Sequence, residues 1–297
     1  MKKALYVYNF RSGHQKNINR HMYVFEYLEN GGIELDEFIF DEEDEKIRFK
    51  LQTRLIETTY DLIIVYGGDG TLNSVVNVKL KNNFSIPIGL IPGGTCNDFA
   101  GGMGLEYNIK KCLDIILAGK IEFFDVGLIN ENRYFVGTCS GGNFVSVSYK
   151  TKREVKKLIG KAAYYFKAMI KALTLKRFKL KITKGEQVIV NSKVIIFIIM
   201  NGHQAAGFKR IKKDALMNDG RMDVIVIKEC SLLVLPLLFL KAMFGRLEDD
   251  KRLISFKFDE CKVEIQDKAD IEIDGEEYNK SSMHIKIISN LLNVYVL

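Results

Sequence analysis

Proline is scarce in this chain, three in 297 residues, and no stretch is rich in glycine and serine together. A flexible linker is therefore excluded, and any domain boundary is a tight joint. Cysteine is equally uninformative as a framework. Cys96, Cys112, Cys139, Cys230 and Cys261 are odd in number, widely spaced and without a C-x-x-C pair, which argues for reduced thiols in a cytoplasm. Long apolar runs are missing as well. The longest uncharged one, residues 232–240, is interrupted by Pro236 and falls far short of the roughly 20 residues that span a bilayer. Lys2 and Lys3 precede an apolar run that stops at Asn9 with no cleavage site after it, so a first β-strand is expected rather than a signal peptide. What is present is 47% apolar content over 297 residues, enough for two ordinary cores, so two domains are expected and disorder is not.

The chain is organised around residues 61–73. After Asp61, the apolar residues Leu62, Ile63, Ile64, Val65 and Tyr66 read as a buried parallel strand, and Gly67, Gly68, Asp69, Gly70, Thr71, Leu72 and Asn73 lead into a helix expected over 72–80. Three glycines in four positions let the backbone approach a ligand closely, and free N–H groups at a helix start attract an anion. Phosphate is the natural guest, with Asp69 calling for a cation, Mg²⁺ first, in the same place. For Gly67 and Gly68 alone a plain glycine turn is the better reading, and Asp69, Gly70, Thr71 and Asn73 in the same run turn the balance to phosphate.

Strands are expected at 3–9, 33–40 and 86–91, helices at 16–29 and 44–59, which makes residues 1–120 an α/β domain with a parallel sheet. Residues 9–13, 67–73 and 93–98 then fall beyond the carboxyl ends of the strands, where ligands of open α/β sheets bind. From residue 121 to 297 the pattern is mostly β and predicts a sandwich-like domain. Its strands are expected at 123–130, 133–139, 178–183, 188–200, 222–228, 252–258, 262–266, 271–274, 283–289 and 293–297, with helices inserted at 155–175 and 232–244.

The phosphate chemistry is not of the commonest kinds. No G-x-x-x-x-G-K-[ST] occurs, and G-x-G-x-x-G fails because Asn73 stands where the third glycine would pack helix on strand. Residues 67–73, then Ile91, Pro92, Gly93, Gly94, Thr95, Cys96, Asn97, Asp98, Phe99 and Ala100, then Asp219 with Gly220, then Asp274, Gly275 and Glu276, appear in that order. This series resembles the bacterial diacylglycerol kinase and lipid kinase family over nearly the whole chain. The resemblance implies ATP-dependent phosphorylation of a lipid hydroxyl, most simply diacylglycerol to phosphatidate, with ATP in a crevice between the two domains. It makes Glu276 the proton acceptor, and Asp69 and Asp98 the carboxylates that organise Mg²⁺. Asn9, Ser12, Gly13, Gly67, Gly68, Asp69, Gly70, Thr71, Asn73 and Thr95 become the nucleotide-binding residues. Asp219, with the backbone carbonyls of Leu216 and Arg221, becomes a second, structural Mg²⁺ site. From spacing alone, Asp274 and Gly275 are also an ordinary hairpin turn, and Asn218, Asp219 and Gly220 an ordinary loop.

Several positions depart from the family pattern. Phe10 and His14 stand where proline and lysine are usual, Gly101 and Gly102 where arginine follows the second motif, and Phe40 and Asp41 where a threonine closes the second strand. The chain is also expected to lack the C-terminal segment that returns to the first domain. Residues 150–184 hold 13 Lys/Arg against Glu154, a local +12 in a chain of net +7. On a helix over 155–175, Lys156, Lys157, Lys161, Lys167 and Lys171 face away from an apolar stripe. This basic helix fits an anionic membrane surface, which places the protein peripherally on the inner membrane face, and no nucleic-acid signature accompanies it. A homodimer is compatible with the sequence. Two other readings stay open: a kinase acting on NAD, sharing Gly67 to Thr71, and a weakly catalytic lipid- or nucleotide-binding protein.

Overall fold

The computed structural model describes residues 1–9, 16–105, 107–142, 177–209, 211–212 and 214–297. Ser12, Gly13, His14 and the proposed basic helix at 155–175 lie outside the described residues. The chain divides into two units, Met1–Val126 with Ser289–Leu297, and Gly127–Ile288. This division differs from a cut at residue 120. The last residues return to the first unit, where Val294 pairs in parallel with Ile88, so the expectation that no returning segment exists is corrected.

In the first unit, Lys2–Tyr8 (β1), Ile33–Ile39 (β2), Leu62–Gly67 (β3) and Ile88–Pro92 (β4) form a parallel sheet in the order β2, β1, β3, β4. β3 and β4 are buried along their whole length, as the uninterrupted apolar runs require. The helices are Lys16–Asn30 (α1), Ile47–Glu57 (α2), Asp69–Lys81 (α3), Asp98–Gly102 (α4) and Ile109–Ala118 (α5). α3 begins three residues earlier than expected, so Asp69 sits in its first turn, where a carboxylate suits the helix dipole. α4 and α5 were not foreseen. α5 is nonetheless bounded by ordinary signals, since the Asn108 side chain accepts the Lys111 N–H and Gly119 turns left-handed at φ 77°. Register places Tyr8 beside Tyr66, and Tyr66 beside Ile91, so the carboxyl ends of β1, β3 and β4 finish level. Because β1 lies between β2 and β3, this is the point where strand order reverses.

The second unit is antiparallel. Its elements include β5 (Ile121–Ile129, begun in the first unit), β6 (Arg133–Phe135), β7 (Thr138–Gly142), β8 (Phe178–Lys184), β9 (Gln187–Met200), β10 (Met222–Lys228), β11 (Leu253–Phe258), β12 (Glu260–Ile265), β13 (Ile271–Ile273), β14 (Glu276–Tyr278) and β15 (Ser282–Tyr295). The long strand β9 pairs with β8 over its first half and runs between β7 and β10 over its second. Alternate residues of β10, Val224 and Val226, enter the sandwich core, while Ile225 faces the helix Leu235–Met243 (α6) together with Ile195 and Met200. That double coverage explains why β10 is apolar on both faces. Two expectations are revised. Residues 133–139 are two strands, β6 and β7, and residues 283–297 hold one strand, β15, bent at Asn290 (φ 53°), whose N–H is accepted by buried Asp125 at 2.9 Å.

Lys79 on α3 is buried, and burial alone pulls its pKa down to about 8. An unfolded chain holds that proton to about 10.4, so folding expels a proton between the two values and stability rises across that window. Lys79→Met should raise the urea midpoint at pH 7 by an amount worth about 3 kcal/mol and flatten the rise between pH 8 and 10. A midpoint that falls, or a rise that persists, would count against this account.

Candidate active site

The centre of the first unit's site is a contact between two backbones. Gly93 donates its N–H to Gly67 O at 2.8 Å, and a Cβ built on Gly94 would lie 2.6 Å from Gly68 Cα. Only glycine fits there, so the turn after β3 and the turn after β4 lie one against the other. Asn97 fixes the second turn. It is buried in the left-handed conformation at φ 49°, its Oδ1 accepts Gly94 N–H at 2.9 Å, and its Nδ2 donates to Gly94 O at 3.0 Å. The Tyr107 hydroxyl closes the same turn on the carbonyls of Cys96 (3.1 Å) and Thr95 (3.3 Å).

This contact brings Asp69 to the start of the second motif's helix. Asp69 Oδ1 accepts the Phe99 N–H at 3.5 Å, which sets it at the start of α4 beside Asp98. Partial burial, and then the nearby charges of Cys96, Asp69 and Asp98, raise the Tyr107 phenol above its ordinary range despite the Asn97 hydrogen bond that lowers it. Asn9 joins the group from β1: its N–H donates to Tyr66 O at 3.4 Å and its Nδ2 to Glu42 Oε1 at 2.8 Å. Gly68, the residue before α3, carries no side-chain cap, which leaves the helix start suited to an anion. Thr95 is exposed on the rim. Thr71 and Asn73, by contrast, are buried, and Asn73 Oδ1 accepts from Asn77 Nδ2 at 3.0 Å inside α3. Their side chains support the turn from within.

In the second unit, β13 and β14 form a two-residue hairpin with Asp274 (φ 47°) and Gly275 (φ 86°) at its tip. Asp274 does far more than turn the chain. Its buried carboxylate accepts the N–H groups of Val136 (2.7 Å), Gly137 (2.8 Å) and Thr138 (2.7 Å), closing the turn between β6 and β7. Glu276 follows directly as the first residue of β14. It is half-buried and ion-paired to Arg133 Nη2 at 2.9 Å, with the guanidinium 5.7 Å from the Tyr278 ring centroid. No local sequence signal marks Arg133, because its partner is 143 residues away.

The two implied cation sites fare differently. Among the described residues no three His, Cys, Asp or Glu side chains gather as a metal-ligating group. Asp69 and Asp98 still fit Mg²⁺, which is held by one or two carboxylates together with substrate phosphates and water. Asp219 fits poorly. Its Oδ2 lies 2.8 Å from Lys257 Nζ and its Oδ1 accepts the Arg221 N–H at 3.1 Å. Lys257 is thus a charge partner for the carboxylate proposed to hold a metal.

Residues 140–296 match the family described as YegS C-terminal NAD kinase beta sandwich-like domain, and residues 3–129 match the diacylglycerol kinase catalytic domain. A diacylglycerol kinase of Staphylococcus carnosus (strain TM300) is 30% identical over 93% of this chain and 89% of its own. The chain belongs to the diacylglycerol kinase family. A further relative, the diacylglycerol kinase of Bacillus subtilis (strain 168), is 28% identical over 93% of this chain and 90% of its own. A crystal structure of a diacylglycerol kinase from Bacillus anthracis str. Sterne shares the fold, with TM-score 0.80 at 21% identity, covering 100% of this chain and 97% of that one. The two-domain fold, α/β followed by a β sandwich, is thus the family's, and with the family comes the reaction type, phosphoryl transfer from ATP to an alcohol.

Asp274→Ala should cost about 3 kcal/mol or more of unfolding free energy, because it orphans three N–H groups, two of them in buried hydrogen bonds, and leaves alanine at positive φ. The urea midpoint measures it. A loss below about 1 kcal/mol would mean that water replaces the carboxylate there.

Proposed function

We propose that the chain transfers the γ-phosphate of ATP to the hydroxyl of a diacylglycerol-like lipid, giving phosphatidate. The observation that carries this reading is the meeting of Asp69 with the start of α4, where Asp98 stands, across the close glycine contact between the two turns. The names of the curated relatives supply the substrate class.

On this reading the phosphates lie at the start of α3, against the N–H groups that Gly68 leaves uncapped and near Asn9 and Thr95. Asp69 and Asp98 would hold Mg²⁺, which when bound neutralises charge on the β- and γ-phosphates. Ser12 and Gly13 remain part of the proposed phosphate grip. The Glu276 carboxylate takes the proton of the lipid hydroxyl as that oxygen bonds to the γ-phosphorus, and the bond from the γ-phosphorus to the β,γ-bridging oxygen breaks to release ADP. Asp274 is the residue that holds the hairpin on which Glu276 is presented.

Glu276→Gln should keep the fold and nucleotide binding and lower kcat by about two to four powers of ten, the usual cost of losing a general base. Asp69→Ala and Asp98→Ala should each weaken Mg-nucleotide binding. Transfer of label from γ-labelled ATP, offered diacylglycerols and NAD in parallel, tests the reading itself. Label on NAD and on no lipid would favour a small-molecule kinase instead, and near-normal turnover of Glu276→Gln would remove that residue from the reaction.

A further inference from the structure

Helix α6 is apolar on two opposite faces. Leu235, Leu238 and Ala242 pack into the core with Ile195, Met200 and Ile225. On the other side, Leu233 is 86% exposed, Leu237 50%, Leu240 48%, Met243 47% and Phe244 73%. Residues 233, 237, 240 and 244 follow helical spacing, so these side chains form one stripe rather than a scatter. A single buried face would account for a helix of this length in a soluble domain, and isolated exposed leucines need no cause, but four large apolar side chains in one row with Met243 beside them do. No residue from 232 to 240 is charged, Lys241 is held by Asp250 at 2.9 Å, and Arg246 is exposed just past the end of the stripe.

We propose that this stripe is the surface by which the protein sits on a lipid bilayer. Two observations select a bilayer over a second protein. The stripe's side chains offer no hydrogen-bonding group with which a protein partner could be specified, whereas insertion to the depth of the acyl boundary needs none. Arg246 at the end of the stripe would meet the headgroup layer. Among the described residues no helix is long and apolar enough to cross a membrane, so the contact is interfacial. The proposal extends the lipid-kinase reading, since a hydroxyl carried by a bilayer lipid must be reached from the bilayer surface.

The test is sedimentation of the full chain with phosphatidylcholine vesicles that contain no substrate, at low and high salt. Binding through apolar insertion should persist at high salt, unlike binding through charges. Leu237→Glu with Leu240→Glu should reduce the bound fraction at least tenfold. Leu233→Ser with Phe244→Ser, at the two most exposed positions and outside α6, should reduce it severalfold with the circular dichroism and melting temperature of the parent. No binding by the parent, or equal binding by either folded variant, overturns the proposal. A parent dimer that becomes monomeric in the variants, with vesicle binding unchanged, overturns it in favour of a contact between copies. Phosphoryl transfer to a short-chain, dispersed diacylglycerol is measured beside it and should be unchanged in both variants. If the parent phosphorylates no lipid, the lipid-kinase reading fails while the vesicle result stands.

Discussion

The first unit's site depends on one steric constraint, the absence of side chains at Gly68 and Gly94. With a Cβ on Gly94 2.6 Å from Gly68 Cα, the two turns would have to separate. The Gly93-to-Gly67 hydrogen bond would lengthen, and Asp69 would leave the first turn of α4. Everything that gathers the two carboxylates therefore follows from a close backbone approach, which in turn needs β3 and β4 to end level. That levelness comes from parallel register. The strands are held in register by apolar residues buried on both faces, so the core beneath the site sets the level at which its own turn contacts can form.

Much of this was legible along the chain because it is local. Apolar runs of strand length, glycines where a strand must give way to a helix, and the Asp-Gly hairpin each announce themselves within a few residues. What escaped has faint local signals or non-local causes. α4 is only five residues long, and its first residue is set by Asn97, whose left-handed backbone is stabilised by its own side chain on Gly94. Thr71 and Asn73 carry side chains suited to phosphate, but α3 begins at Asp69 and turns both inward. The Asp274 carboxylate reaches back to N–H groups 136 to 138 residues earlier, and only a folded sandwich reveals that the hairpin tip is also a clamp.

Charge behaves the same way. The basic stretch at 150–184 is conspicuous as sequence, yet at its described end Arg177 pairs with Glu229 at 2.8 Å, Lys181 with Glu264 at 3.6 Å and Lys184 with Asp259 at 2.8 Å. Part of the apparent excess is thus balanced by acids that strand pairing brings alongside. At Asp219 a lysine from β11 likewise neutralises the one carboxylate that was to hold a structural ion.

The pairing of Glu276 with Arg133 bears on how a base could be held ready. A guanidinium beside a carboxylate fixes its direction, but a tight and dry pair would bind that carboxylate too firmly to use. Here both partners are partly solvated, 23% and 32% exposed, and ion pairs of that kind are worth about 1 kcal/mol or less. The pair orients Glu276 at small cost to its release. On the proposed reading an arriving hydroxyl could exchange with Arg133 at the carboxylate, while the guanidinium keeps its place over the Tyr278 ring. On that reading Asp274 and its three N–H groups hold the hairpin, and the Glu276 side chain beside them is the group offered to the substrate.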